Sequence, residues 1–173
     1  GPLRPMSFDA PAGAFADALA ADLLILGLGN RLMTDDAAGP LVIERLAARP
    51  LPPGARAIDG GTCGLALLPD LERAAALIVV DAARSDAPPG AVTVFEGAAM
   101  DAALRGAKST AHEVALADLM DALHVTSGRP ARRALVAIEP ERIGVGLEPT
   151  KPVDAALAGA VSAVRALVER WAP

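Results

Sequence analysis

Three side chains that can exchange protons or bind a metal ion stand beside apolar segments of this sequence. Asp36 follows the apolar run Leu23–Leu26 after a glycine turn. Asp81 directly follows a second such run, Leu77–Val80, and His112 opens a segment with helical spacing of apolar residues. Continuous apolar runs are typical of buried parallel strands, whose carboxyl ends meet at one edge of the sheet. We therefore expect Asp36 and Asp81 to be neighbours, within reach of His112 on a loop above that edge.

Two carboxylates and one imidazole form a ligand set that suits borderline divalent ions such as Ni²⁺ or Zn²⁺. Three protein ligands with an open position are typical of functional metal sites, whereas a structural site is closed by a fourth ligand. Simpler roles are also open at this stage. An Asp at a strand end often forms a turn or caps a helix, and His112 could merely begin its helix, with Ser109 or Thr110 as the cap.

The segments that carry these residues belong to a pattern of alternating strands and helices. Apolar runs predict five strands, at Leu23–Leu26, Arg56–Asp59, Leu77–Val80, Ala91–Glu96 and Ala134–Ile138. Helical spacing predicts helices at Gly39–Ala48, Thr62–Arg73, Glu113–Leu123 and Val153–Trp171, and Ser7–Ala20 as a short helix or a loose arm. The connection Ala82–Gly90 is too short for a helical crossover, so the pair of strands that it joins should be antiparallel. This pattern predicts an α/β fold, a three-layer α/β/α arrangement with a mostly parallel, roughly five-stranded twisted sheet.

Composition narrows the class of protein. The 173 residues fit one domain, and the net charge of −5 argues against nucleic acid as a partner. A single cysteine fits a reducing compartment, and no apolar run reaches the roughly 18–20 residues of a membrane span. With no secretory signal pattern, we expect a cytoplasmic protein. Gly1-Pro2 is typical of a tag-removal scar, so we expect residues 1–6 to be such a remnant or a disordered start.

The glycines after the first strand raise the question of a nucleotide site. A dinucleotide-binding turn needs a third glycine where this sequence has Leu32. The lysine of a Walker loop is missing as well, and Asp35 and Asp36 would repel a phosphate. Peptidyl-tRNA hydrolases also carry a GLGN stretch, but they follow it with Pro-Gly and a tyrosine, and this chain has no tyrosine. A nucleotide-binding enzyme is therefore the weaker alternative.

The stretch GLGNRLMTDDAAG resembles the signature of the hydrogenase maturation endopeptidases, which trim the C-terminus of the nickel-iron hydrogenase large subunit. VDAA after the third strand and AHEVALADLMDAL resemble two further family segments in register. DGGTCG and IEPERIGVGLEPT resemble family loops, so the matches extend from about Leu23 to Leu157. Ala37 is a mild departure, because the family often has glycine after its acid pair.

The resemblance implies that Asp36, Asp81 and His112 are both the catalytic and the metal-contacting residues of an aspartyl endopeptidase-like hydrolase. Residues 7–173 would form one α/β endopeptidase domain that acts on a large-subunit precursor already carrying nickel. Nickel would be recognised in the substrate, and other divalent ions could substitute for it. Either a metal-bound water or a carboxylate-activated water could attack the peptide bond. A non-cleaving, nickel-sensing chaperone that docks the precursor would use the same ligands and is the alternative.

Four other residues have less specific roles in this interpretation. Cys63 could be a nucleophile, but a small residue at least half-buried is favoured, because the family does not depend on a cysteine there. Asp35 and Asp59 lie close to the proposed site in sequence and are expected to position its loops. His124 falls at the end of its helix, where a cation suits the helix dipole.

Overall fold

Five strands form one sheet in the computed structural model, which describes residues 22–62, 64–128 and 130–171. They are β1 (Leu23–Leu28), β2 (Ala55–Gly61), β3 (Ala76–Ala82), β4 (Val92–Glu96) and β5 (Arg132–Ile138). Their order across the sheet is β2-β1-β3-β5-β4. Four strands run parallel, and only β4 is antiparallel, pairing with β5. The predicted mostly parallel, five-stranded α/β sheet is confirmed.

Helices cover both faces of this sheet. They are α1 (Ala38–Leu46), α2 (Leu68–Arg73), α3 (Ala98–Leu104), α4 (Ala111–Thr126) and α5 (Lys151–Trp171). Successive residues of a strand point to opposite faces, so Ile25 packs in a core with α1 and α5, and Leu24 packs in a second core with α2, α3 and α4. Every residue of β1 is buried, which explains its unbroken apolar run. Across the described residues, no helix combines the length and apolar character that a membrane span requires.

The chain changes direction across the sheet between β1 and β3. From β1 it passes through α1 to β2 on one side, and from β2 it returns through α2 to β3 on the other side of β1. Loops that leave adjacent strands in opposite directions open a crevice at their carboxyl ends, where open α/β sheets bind ligands. Asp36 follows β1 and Asp81 lies near the end of β3, so both residues stand at this point.

Three details differ from the sequence predictions. The strands β3 and β4 do run in opposite directions, but β5 lies between them, because β5 is buried and β4 is half-exposed and suits an edge. The alanine-rich helix α3 was not predicted, since only Met100 and Leu104 mark its buried face. The segment before α2 is a separate 3₁₀ turn, Leu65–Leu67, with Pro69 in the first turn of the helix that follows. The predicted N-terminal helix or arm, Ser7–Ala20, lies outside the described residues.

Candidate active site

Gly29 allows the loop after β1 to fold back over the end of its own strand. Its φ is +134°, a conformation that side chains rarely adopt, and a Cβ atom there would lie 1.9 Å from the carbonyl oxygen of Asp36. The chain then enters a 3₁₀ turn, Thr34–Ala37, which contains both adjacent acids. The backbone N–H of Asn30 donates to Asp36 Oδ2 at 2.8 Å and fixes that carboxylate at the crevice.

Asp35 points into a different environment from its neighbour. It is fully buried and accepts hydrogen bonds from the backbone N–H groups of Glu141, Arg142 and Thr150 at 2.7–2.9 Å. The hydroxyl of Thr150 also lies within 2.8–2.9 Å of both its carboxylate oxygens. Burial alone would raise the pKa of Asp35, but these donors outweigh it and lower the pKa. Asp35 therefore anchors the loop between β5 and α5, as expected of a loop-positioning residue.

Asp81 is the acid that β3 contributes to the site. It lies within β3, one residue before the strand ends, and it is fully buried. Its carboxyl lies against that of Glu113, so these two buried acids can share one proton. Burial raises the pKa of Asp81 well above its usual range, and the negative charges of Glu113 and Asp36 raise it further.

His112 contacts Asp36 across the crevice. It is the second residue of α4, and its Nε2 lies 3.1 Å from Asp36 Oδ2. This contact is the main reason that the pKa of His112 is raised; burial opposes the shift, and the backbone of Thr62 supports it. The structure thus brings Asp36 and His112 into direct contact, with Asp81 near enough for the charge of Asp36 to affect its pKa.

Glu113 is a buried acid of this site that sequence reasoning missed. Its N–H donates to Thr110 Oγ1, and its carboxylate accepts the N–H of Thr110, which together form a capping box that starts α4. Its second oxygen, Oε1, is buried, its carboxyl lies against that of Asp81, and its negative charge raises the pKa of Asp81 more than that of Asp36 does. The signal was present in the sequence as Thr-Ala-His-Glu, the pattern of a capping box.

Two of the remaining residues named from the sequence, Asp59 and His124, are exposed. Asp59 is exposed, and it accepts the N–H of Gly61 and binds Arg31, so it shapes the loop after β2. His124 is exposed in the last turn of α4, away from the residue that opens this helix. Cys63 lies outside the described residues. Among those residues, no three His, Cys, Asp or Glu side chains are arranged to hold a metal ion together.

Comparison with known proteins identifies similar chains. A family model described as hydrogenase maturation protease matches residues 40–166, a segment that contains Asp81 and His112 and begins just after Asp36. The hydrogenase 2 maturation protease of Escherichia coli is 36% identical over 74% of this chain and 80% of its own length. The hydrogenase expression/formation protein HupD of Rhodobacter capsulatus is 35% identical over 83% of this chain and 71% of its own length.

Solved structures agree with the sequence comparison. The hydrogenase maturating endopeptidase HybD from Escherichia coli superposes with a TM-score of 0.81 and 32% identity, covering 86% of this chain and 93% of that one. The nickel-iron hydrogenase maturation protease HybD from Thermococcus kodakarensis superposes with a TM-score of 0.74 and 29% identity, over 85% of this chain and 99% of that one. The fold is therefore shared with these proteins.

Proposed function

This chain belongs to the hydrogenase maturation proteases, and from that premise we propose that it removes the C-terminal extension of a nickel-iron hydrogenase large-subunit precursor after nickel insertion. Asp36, Asp81 and His112 recognise the nickel, which belongs to the substrate. The two relatives from Escherichia coli are named a maturation protease and a maturating endopeptidase, which favours a peptide hydrolase over a non-cleaving chaperone.

The observation that carries the proposal is the state of Asp81. A fully buried carboxylate without hydrogen-bond donors is costly, so a protein that retains one supplies it with a proton or a cation. Both of its oxygens are buried near the Asp36–His112 contact, and the group that faces them is a second acid, Glu113, which supplies no positive charge. An incoming divalent ion would replace the proton that burial and neighbouring charge favour on Asp81. Asp81 is therefore suited to bind a metal ion that arrives with the substrate.

The Asp36–His112 contact explains why recognition would depend on the substrate. In this structure Nε2 of His112 and Oδ2 of Asp36 are 3.1 Å apart. Each atom therefore blocks the position from which a metal ion would bind the other. A metal ion that binds both residues must break this hydrogen bond and form one bond to each of the two atoms. Three protein ligands leave coordination positions open, which a metal that arrives with ligands of its own would fill. Nickel held by a precursor meets that requirement.

Matched precursors with and without nickel test the proposal. We expect the enzyme to release a C-terminal peptide, detected as a mass loss, from the nickel-loaded precursor only. Each tenfold preference corresponds to about 1.4 kcal/mol of differential binding. Equal cutting of both precursors, or cutting of the empty precursor after free nickel is added, would show an ordinary metalloprotease.

The two histidines of the chain provide a matched pair of variants. His112→Ala should lower the cleavage rate at least about a hundredfold, because even residues that only support metal ligands cost about 10–100-fold when removed. His124→Ala should keep full activity, because His124 is exposed at the far end of the same helix. Circular dichroism should show that both variants are folded. Full activity in His112→Ala would remove it from the site.

A further inference from the structure

Large apolar side chains are exposed around the candidate site. Among the described residues, Leu32, Leu65, Val145 and Leu147 are 59%, 78%, 87% and 77% exposed. We call these four residues the apolar rim. They lie on the loops after β1, β2 and β5, which all leave the carboxyl edge of the sheet. Exposed apolar residues that cluster at one place, unlike scattered ones, are typical of an interaction surface.

Backbone hydrogen bonds hold two rim residues, Val145 and Leu147, on the solvent side of their loop. Gly146 donates its N–H to the carbonyl of Leu32, and its own carbonyl accepts the N–H of Thr34, both at 2.9 Å. A Cβ atom at Gly146 would lie 2.8 Å from Thr34 Cγ2, so the inner side of this segment is closed. Val145 and Leu147, on either side of the glycine, remain outside. Their exposure is therefore fixed by hydrogen bonds to the loop that carries Asp36.

The rim is continuous with the candidate site on two sides. On one side, Thr34 and Asp35 bind the loop of Val145 and Leu147 immediately before Asp36. On the other side, the loop of Leu65 is joined to the β1 loop, because the N–H of Gly29 donates to the carbonyl of Gly61 at 2.8 Å. The rim therefore borders the Asp36–His112 contact.

We propose that the apolar rim docks an apolar stretch of the precursor polypeptide that adjoins the scissile bond. This inference rests on the proposed function and names the part of the substrate that the site admits. Position argues for this occupant, because a polypeptide whose scissile bond reaches the Asp36–His112 contact must pass the loops of Leu32, Val145 and Leu147 beside it. Leu147 also lines a surface groove of about 640 Å³, whose walls combine Leu41 and Leu157 with charged side chains, namely Glu44, Arg45, Glu148, Lys151 and Asp154.

A pair of aspartate substitutions and a matched control test this surface. Val145→Asp with Leu147→Asp should weaken binding of the nickel-loaded precursor about tenfold or more, as loss of central apolar contacts does in other interfaces. The same double variant should raise KM similarly and change kcat little, because neither residue touches the reacting groups. Val125→Asp is the control, since Val125 is 85% exposed in the last turn of α4, away from the rim. It should bind and cut like the unmodified protein.

Binding and cleavage, measured separately, distinguish the possible failures. Normal binding and cutting by the double variant, or equal loss in the control, would overturn the docking surface and leave the proposed function standing. Weakened binding by the double variant, with no cutting even by the unmodified protein, would support the surface and refute the protease activity on this precursor. A chain that neither binds nor cuts the precursor would refute both. Dimers of the unmodified chain that the double variant dissociates would assign the rim to a second copy, and overturn the inference.

Discussion

Replacing Asp35 with asparagine should destabilise the protein strongly, although the change removes only a charge and one acceptor. Its carboxylate accepts from three backbone N–H groups, those of Glu141, Arg142 and Thr150, and contacts the Thr150 hydroxyl. An asparagine oxygen can serve Glu141 and Arg142, but its amide nitrogen then faces the N–H of Thr150. One buried donor is left unpaired, and two charge-assisted hydrogen bonds become neutral.

The size of the effect follows from these contacts. An unpaired buried donor costs about 1–3 kcal/mol, and the weaker bonds add to it, so we expect a loss of about 2–4 kcal/mol. In a chain of this size, about 3 kcal/mol corresponds to a fall in Tm of roughly 6–12 °C. Asp59→Asn is the control, because Asp59 is exposed, and such surface changes stay within about 0.5 kcal/mol. Thermal and urea unfolding followed by circular dichroism measure both variants.

The stability difference between the unmodified protein and Asp35→Asn should depend on pH. Because the pKa of Asp35 is lowered in the folded protein, its contribution to stability is present above the unfolded pKa of about 3.9 and is lost as pH falls through the folded pKa. The gap in stability between the unmodified protein and Asp35→Asn should therefore be full at pH 7 and close in strong acid. Equal stability of the two proteins at pH 7, or a gap no larger than that of Asp59→Asn, would refute the anchoring role.

Two further predictions concern the residues around the crevice. The pKa of His112 is raised mainly by Asp36, so the NMR resonances of its ring should titrate with a midpoint above about pH 6.5. Asp36→Asn should lower that midpoint, and an unchanged midpoint would contradict the contact. That pair stabilises the fold fully below about pH 6.5, and its contribution is lost as pH rises through the folded pKa of His112. Gly29→Ala should cost about 2–5 kcal/mol in urea unfolding, because a Cβ atom would strike the carbonyl of Asp36 at a positive φ. Gly64→Ala, where a Cβ atom meets open space, should cost far less, and equal losses would refute the steric argument.

The order of the elements and the position of the crevice could be predicted from local patterns. Buried strands leave continuous apolar runs, and the residues that follow them must lie at the carboxyl edge of a parallel sheet. That rule was enough to place Asp36 and Asp81 together. It did not identify the neighbour of β4, because the connection between two strands constrains their directions and leaves their order in the sheet free.

The different roles of the adjacent acids Asp35 and Asp36 were harder to predict. Asp35 binds residues more than 100 positions away, and no local pattern records such a partner. A partial signal existed for Glu113, since Thr110 and Glu113 form a capping box that can be read from four residues. What the pattern cannot show is that the capping carboxylate also faces Asp81 from within the protein.

One short turn, which contains Asp35 and Asp36, connects the apolar rim to the proposed metal-recognising residues. Asp35 uses all of its acceptor capacity to hold the loop of Val145 and Leu147, whereas Asp36 keeps its carboxylate at the crevice beside His112. Any change that loosens this turn therefore shifts the apolar rim and the proposed metal-recognising residues together. Loss of activity in an Asp35 variant should accordingly follow its loss of stability. Loss of activity in His112→Ala should occur in a protein that remains folded, and this difference separates a residue that anchors the site from one that acts in it.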